Sequence, residues 1–156
     1  MSRRDAIAMS DAEVLAFLNE ERTLTCATIG PDAWPHLMPL WYVVRDGECW
    51  AWTYAKSQKV RNLERDARAT LQVEAGEAYD QLRGVMFECD VAVERDPDKV
   101  ADYGVALFER YAPGADGGLP DEVREMVLQQ AQKRIGLRFV PTRTVSWDHS
   151  KLGGAY

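Results

Sequence analysis

The sequence from Glu48 to Leu63, ECWAWTYAKSQKVRNL, joins a predicted strand directly to a predicted helix. Positions 48–54 alternate, with two tryptophans and a tyrosine on one face and smaller residues on the other, which predicts a strand. Ser57 then occupies the N-cap position of a short helix, because the apolar residues Val60 and Leu63 follow at helical spacing. We therefore expect this strand to end beside a helix N-terminus.

Positive charge is concentrated at this junction. Residues 56–68 hold five basic and two acidic side chains, a local balance of +3 (five minus two), whereas the whole chain has a formal net charge of −6. A helix N-terminus offers unpaired N–H groups and a partial positive charge, and Lys56 and Lys59 flank it here. The pattern is typical of an anion site, most often for phosphate, and also of a solvated helix face with ordinary surface ion pairs.

Length and composition are those of an ordinary globular protein. With 156 residues, of which 46% are hydrophobic and 28% charged, we expect one domain spanning residues 1–156. The acidic balance argues against a general nucleic-acid binder. No apolar run approaches the roughly 20 residues of a membrane-spanning helix, and residues 1–9 lack the apolar segment of a secretory signal. We therefore expect a cytoplasmic protein without a nucleic-acid or membrane partner.

Apolar periodicity predicts a mainly β fold with flanking helices. In chain order it predicts a helix over 10–20, strands over 24–29, 36–44 and 48–54, the short helix after Ser57, strands over 69–75 and 83–94, helices over 96–111 and 120–134, and a strand over 135–147. Residues 112–120 form a predicted loop, and Pro141 requires an edge position or a bulge in the last strand. Six strands joined mostly by hairpins favour a closed or split antiparallel barrel.

The sequence carries no motif that would supply chemistry by itself. It has no glycine-rich phosphate loop and no nucleophile elbow, and its two histidines are not at metal-ligand spacing. The three cysteines lie in separate predicted strands, which indicates buried thiols and no disulfide or metal site. A good anion site without a nucleophile or a metal indicates that a bound cofactor carries the reactivity. We assign no catalytic residue and no metal ligand.

Four segments together resemble the pyridoxamine-phosphate-oxidase-like split β-barrel proteins, which bind flavin. They are HLMPLW at 36–41, KSQKVRNL at 56–63, RGV at 83–85 and WDHSKLGG at 147–154. The chain is most similar to the deazaflavin-dependent branch, the flavin/deazaflavin oxidoreductases of the B group, which use coenzyme F420. The resemblance runs from about Ser10 to the C-terminus and follows the same order of elements.

The resemblance implies a six-stranded split barrel of the FMN-binding type, assembled as a homodimer with the cofactor at the interface. The phosphate would lie at the basic strand–helix junction, and the ring system along the second and third strands. The implied cofactor is F420, with FMN as the alternative. The cofactor-binding residues implied by the resemblance are Met38, Pro39, Leu40, Trp52, Thr53, Lys56, Ser57, Lys59 and Arg61.

The implied function is that of an oxidoreductase that transfers a hydride from reduced F420 to a planar conjugated small molecule. The alternatives are an FMN-dependent flavoprotein and a non-catalytic flavin- or haem-binding carrier. The acidic tail of F420 would need further basic residues, for which Arg61, Arg65 and Lys151 are candidates that are also ordinary surface charges. The C-terminal tail either folds over the cleft with His149 or is simply solvated.

A homodimer is also expected from the aromatic residues themselves. Trp34, Trp41, Trp50 and Trp52 are clustered in the first half of the chain, more than the lumen of one small barrel needs. If the aromatic strand faces outward, it leaves an apolar patch that requires a partner.

Overall fold

In the part of the chain that the structure describes, seven strands form one antiparallel sheet that curls into a split barrel, and five α-helices flank it. The structure, a computed structural model, describes residues 2–112 and 118–153. The strand order is β2-β1-β5-β6-β7-β4-β3. The strands are β1 Leu24–Ile29, β2 Pro35–Leu40, β3 Val43–Arg45, β4 Glu48–Tyr54, β5 Arg68–Ala75, β6 Arg83–Glu94 and β7 Arg134–Asp148. The helices are α1 Arg3–Ile7, α2 Asp11–Glu20, α3 Gln58–Arg65, α4 Pro97–Tyr111 and α5 Asp121–Ala131.

The mainly β split-barrel prediction is confirmed, but the predicted count of six strands is wrong. The segment predicted as one strand over 36–44 is divided into β2, which pairs with β1, and β3, which pairs with β4. Trp41 and Tyr42 connect them, because the two strands lie at opposite edges of the sheet. Most of the predicted loop at 112–120 lies outside the described residues.

Tyr42 and Arg110 fix the crossing between β2 and β3. The buried Tyr42 hydroxyl lies 2.7 Å from the Leu18 carbonyl oxygen and 3.1 Å from that of Glu21, at the C-terminal end of α2. The Arg110 guanidinium, from α4, donates to the same two carbonyl oxygens at 2.9 and 2.7 Å and to the Tyr42 carbonyl. These bonds satisfy carbonyl groups that a helix C-terminus leaves unpaired.

Two local features of the sheet, the turn between β3 and β4 and the predicted irregularity at Pro141, follow from the residues at those positions. Asp46 and Gly47 both have positive φ angles, 51° and 76°, as a two-residue hairpin between β3 and β4 requires. In β7, Arg143 pairs with Glu88 while Pro141 pairs with Cys89, so one residue of a β-bulge lies between them. β7 also pairs with β4 only over 134–139, so Pro141 has no neighbour on that side.

Two apolar cores lie on the two faces of β4. The first fills the barrel and contains all three cysteines as buried free thiols, which confirms that prediction. Burial raises the pKa of each of these thiols to about 12. The second core lies between the outer face of the β3–β4 hairpin and helices α4 and α5, and its buried members are Val43, Trp52, Val100, Tyr103, Leu107, Leu119, Val127 and Ala131.

The aromatic face of β4 points out of the barrel, but the expectation that it leaves an uncovered apolar patch is wrong. Trp52 is buried under α4 and α5, and the Trp50 ring packs on Tyr103 with 5.0 Å between ring centroids. Trp34 and Trp41 remain on the surface, 78% and 52% exposed. Any dimer must therefore use another surface of the barrel. Among the described residues, no helix has both the length and the apolar character needed to span a bilayer.

Gly104 brings α4 close to β4. A Cβ atom at this position would lie 2.4 Å from the Trp52 ring and 2.8 Å from the Val127 side chain. We expect Gly104→Ala to lower the free energy of unfolding by about 1–3 kcal/mol, the usual cost of overpacking. The gain in helix propensity, about 1 kcal/mol, acts in the opposite direction and is smaller. Denaturant unfolding measures the difference, and a raised midpoint would contradict this packing account.

Candidate functional site

Helix α3 begins where the sequence predicts, but Ser57 does not cap it with its side chain. Ser57 has the extended backbone of an N-cap residue, yet its hydroxyl makes no capping hydrogen bond. The hydroxyl oxygen is instead buried and has no hydrogen-bond partner. A buried hydroxyl without a partner costs free energy, so this position is suited to a ligand that supplies one. The first turn of α3 thus has no side-chain cap.

Lys59 is a buried cation at the same place. Its side chain extends from the first turn of α3, the residue is 7% exposed, and its Nζ donates to the Thr53 Oγ1 at 3.1 Å. Within the part of the chain that the structure describes, no carboxylate lies within 4.0 Å of this ammonium. Burial lowers the pKa of Lys59, because the charged form is desolvated. A nearby anion would stabilise the charged form of Lys59 and so raise its pKa again.

Asn62, which the sequence analysis did not select, anchors α3 to the barrel. It is fully buried, and its Nδ2 donates to the Thr28 hydroxyl on β1 at 3.0 Å. Its Oδ1 accepts from Gln58 at 2.8 Å and from Arg65 at 2.9 Å. The available signal was an asparagine on the apolar face of a helix, where a buried amide needs partners.

A groove of about 240 Å³ opens between the end of β2 and β4. It brings together four of the nine predicted site residues, and Thr53 connects it to the Lys59 ammonium. Its lining residues are Pro39, Leu40, Trp41, Trp52, Thr53, Phe108 and Arg134.

The other predicted residues lie around this groove. Met38 is the neighbour of Pro39 on the edge strand β2 and is partly exposed. Lys56 and Ser57 lie in the turn between β4 and α3, with Lys56 at the surface, and Arg61 is exposed on α3. The structure therefore places a basic junction next to an apolar groove.

Arg134 is a groove residue that the sequence analysis missed. Its guanidinium carbon lies 4.5 Å from the Trp52 ring centroid and 4.1 Å from that of Tyr54. Its Nη2 donates to Gln130 at 3.0 Å, whereas its Nε is buried without a hydrogen-bond partner. Burial lowers the pKa of Arg134. No local pattern could reveal this position, because it depends on the pairing of Arg134 with Tyr54 across β7 and β4.

The described part of the C-terminal tail, up to residue 153, lies away from this site within the chain. His149 follows β7 at the Arg83 end of β6, and its Nδ1 lies 2.9 Å from the Tyr79 carbonyl oxygen. Lys151 bonds to the Ala8 carbonyl oxygen at 2.9 Å and to Glu13 at 2.8 Å. α3, by contrast, packs on β1 through Asn62 and Thr28, near the opposite end of the β5–β6 hairpin.

Of the three candidates for contacting an acidic cofactor tail, two are engaged elsewhere. Lys151 is paired with Glu13, whose pKa this contact lowers to about 2. Arg65 donates to Asn62 and to the Ile29 carbonyl oxygen at 3.2 Å. Arg61 remains exposed near the basic junction. Over residues 2–112 and 118–153, the structure holds no group of three His, Cys, Asp or Glu side chains arranged for a metal ion.

The chain belongs to the pyridoxamine 5'-phosphate oxidase family, whose members are flavin-binding split barrels, with the match covering residues 10–146. It is 47% identical to the conserved hypothetical protein Rv2991 from Mycobacterium tuberculosis, over 100% of this chain and 95% of that one, with a TM-score of 0.89. Comparison with curated proteins finds no match.

Two more distant structures show the fold alone. A protein named F420 reductase has 20% identity and a TM-score of 0.60, over 83% of this chain and 93% of that one. HutZ, the heme storage protein from Vibrio cholerae, has 19% identity and a TM-score of 0.66, over 86% and 93%. Proteins with different cofactors in their names thus share this barrel.

If the basic junction holds a phosphate, Lys59 should make binding of that phosphate dependent on pH. Burial lowers its pKa in the free protein, and a bound phosphate raises it again by stabilising the ammonium. Affinity for FMN should therefore fall as the pH rises from 7 to 9.5, below the ordinary lysine pKa of 10.5. Titrations across this range measure the effect. Lys59→Arg should remove the dependence if it binds, because arginine stays protonated, and a constant wild-type affinity would contradict the assignment.

Proposed function

We propose that this chain is an oxidoreductase that binds coenzyme F420 and directs a hydride from its reduced form to a planar conjugated small molecule. One observation supports this above the others. The desolvated Lys59 ammonium bonds to Thr53, which also lines an apolar groove, and the unpartnered Ser57 hydroxyl lies at the start of the same helix as Lys59. This combination suits a ligand with a phosphate at one end and a ring system at the other.

The residues of the basic junction fit a phosphate group. Ser57 offers a hydroxyl donor, Lys59 an ammonium without a carboxylate partner, and the first turn of α3 unpaired N–H groups. Lys56 adds a second cation from the preceding turn. Each charge-assisted contact contributes about 1.5–3 kcal/mol, so the two lysines together account for a large part of the binding free energy.

The groove fits a flat ring system. Pro39, Leu40, Trp52 and Thr53 form its walls, and β2 lies at the edge of the sheet, where its outer backbone groups have no neighbouring strand. These groups can bond to the polar edge of a ring, while the apolar walls exclude water from its faces. A bound deazaflavin supplies the hydride chemistry. The protein's contribution is to hold ring and acceptor in contact, an effect worth up to about 7–11 kcal/mol.

F420 is favoured over FMN by the sequence resemblance and by the exposed Arg61, which is free to meet an acidic tail near the phosphate. The fold-level likeness to an F420 reductase is compatible with this choice. The alternatives are an FMN-dependent flavoprotein and a non-catalytic carrier of flavin or haem. The fold-level likeness to a heme storage protein is compatible with the carrier.

A binding titration tests the cofactor assignment. The purified chain is titrated with F420, FMN, FAD and haem, and F420 should bind most tightly. Lys56→Ala/Lys59→Ala should weaken binding by about 3–6 kcal/mol, since two charge-assisted contacts are lost. The control Arg3→Ala/Arg4→Ala removes two exposed cations of α1, away from α3, and should bind as the wild type does. Equal loss in both double variants would place the phosphate elsewhere.

A turnover assay on the same protein separates enzyme from carrier. Reduced F420 is mixed with the chain and a panel of activated alkenes, quinones and tetrapyrroles, and its oxidation is followed by absorbance. Oxidation by one class of acceptor is the expected result. Tight binding without turnover across the panel would favour the carrier, and a preference for FMN with rapid oxygen-dependent turnover would identify an oxidase-type flavoprotein.

We also propose a homodimer, with a second copy of the chain on the outer face of β1, β2, β5 and β6. This face carries the exposed side chains Ile29 and Leu37 and a concavity of about 460 Å³ lined in part by Ala27, Pro35 and Thr70. An exposed apolar sheet face of this kind is typical of an isologous interface. β2 lines the groove through Pro39 and Leu40 and also forms part of the proposed interface. The groove would therefore lie near the partner.

Sedimentation at micromolar concentration measures the oligomeric state, and we expect a dimer. Leu37→Asp should weaken it, because a desolvated carboxylate would face the partner. Leu128→Asp is the matched control, since Leu128 is an exposed leucine on α5, outside this face. A stable wild-type monomer would exclude the dimer, and equal effects of the two variants would exclude this face.

A further inference from the structure

Arg134 is a cation that the described part of the chain leaves without a carboxylate. Its one hydrogen bond goes to Gln130, a neutral amide, and its buried Nε has no acceptor. Arg138, four positions further along the same strand, instead forms two bonds to Glu48 at 2.6 and 3.1 Å. The buried Nε–H of Arg134 has no acceptor among the described residues. A hydrogen-bond acceptor for it therefore has to come from a bound ligand or another molecule.

Its orientation is fixed by the aromatic rings beside it. Trp52 lies on one side at 4.5 Å and Tyr54 nearby at 4.1 Å, distances at which a guanidinium packs against an aromatic ring. Because the planar fork is held in this way, less side-chain freedom is lost when it bonds to a pair of oxygen atoms. Arg134 is thus prepared for a carboxylate or a similarly spaced anionic edge.

The rest of the groove is suited to a flat apolar body. Trp41, Trp52, Phe108, Pro39 and Leu40 supply aromatic and apolar walls, and none of the described residues that line it is acidic. Its volume, about 240 Å³, exceeds the roughly 150 Å³ of a cavity that holds benzene, so two or three fused rings can enter. Trp41 is itself held in place by stacking on Tyr111 at 4.5 Å.

We infer that this groove binds a planar conjugated ligand with an anionic oxygen edge, and that the Arg134 guanidinium is the contact that recognises the negative charge. Two sources share this chemistry. One is the carboxylate of a conjugated acceptor. The other is the polar edge of a flavin or deazaflavin ring, which gains negative charge when two electrons and one proton are added. The inference that such a ligand binds is independent of the proposed function. Its identification as an acceptor or as a cofactor ring rests on the proposed function.

The test uses 2-naphthoate and its neutral isostere 2-naphthamide as probes of the full-length chain without cofactor. Calorimetric titration of the wild type should show at least tenfold tighter binding of the acid than of the amide, the difference expected for one charge-assisted contact. Equal affinities for the two probes, or no binding of either, would overturn the inference. This comparison needs no variant and is unaffected by any folding defect.

Variants then test the role of Arg134. Arg134→Gln should abolish the preference for the acid, and Arg134→Lys should retain part of it, because a point charge replaces the fork. Arg138→Gln removes the same charge from the same strand outside the groove and should leave the preference unchanged. Loss of preference in Arg138→Gln as well would show a general charge effect and would count against Arg134.

Loading the protein with FMN identifies the source of the anionic edge. If FMN displaces naphthoate and Arg134→Gln also lowers FMN affinity, the ring edge occupies the groove. If the FMN-loaded protein still binds naphthoate through Arg134, the groove holds the carboxylate of an acceptor. If naphthoate binds as expected but neither FMN nor F420 binds at all, the proposed function fails while the inference about the groove stands.

Discussion

The Arg110 guanidinium holds together the part of the chain on which the groove depends. It donates to the carbonyl groups of Leu18 and Glu21, where the dipole of α2 ends, and to the carbonyl of Tyr42. Without it, these carbonyl groups would keep only their hydrogen bonds to the Tyr42 and Tyr111 hydroxyls, and each lost bond to the charged guanidinium contributes about 1.5–3 kcal/mol. The crossing from β2 to β3 is therefore fixed, and Trp41 is carried to the wall of the groove.

Charge is distributed unevenly between the surface and the site. The exposed Arg68, Arg95 and Arg143 each pair with a carboxylate, and such pairs contribute little to stability. Lys59 is buried and Arg134 is half-buried, burial lowers the pKa of each, and neither has a carboxylate partner among the described residues. An acidic protein thus concentrates unneutralised positive charge where the dielectric is low and an anion gains most from it.

Sequence patterns could predict those features that depend on near neighbours. The capping box of Ser10 and Glu13, the Asp46–Gly47 hairpin and the strand–helix junction at Lys59 are all local, and the structure has them. The break between β2 and β3 depends on a contact of Tyr42 with Leu18, 24 positions away. Similarly, the covering of Trp52 by α4 and α5 is a matter of packing between distant elements, which alternation along β4 cannot reveal.

The site residues divide in the same way, into those that the local sequence indicates and those that depend on contacts between distant elements. Residues that share the β4–α3 junction could be selected together, whereas Arg134 enters the site only through the pairing of β7 with β4. Ser57 is instructive because its position was predictable but its bonding was not. A serine hydroxyl can turn toward the helix or away from it, and only the surrounding contacts decide which.

The reactivity of the three buried cysteines can report how often the barrel opens. Each thiol is enclosed by the first core, and burial raises its pKa to about 12, so almost no thiolate exists at neutral pH. Only the thiolate reacts readily with alkylating reagents. Covalent labelling of these cysteines must therefore wait for the sheet to separate. Its rate reports how often the barrel opens.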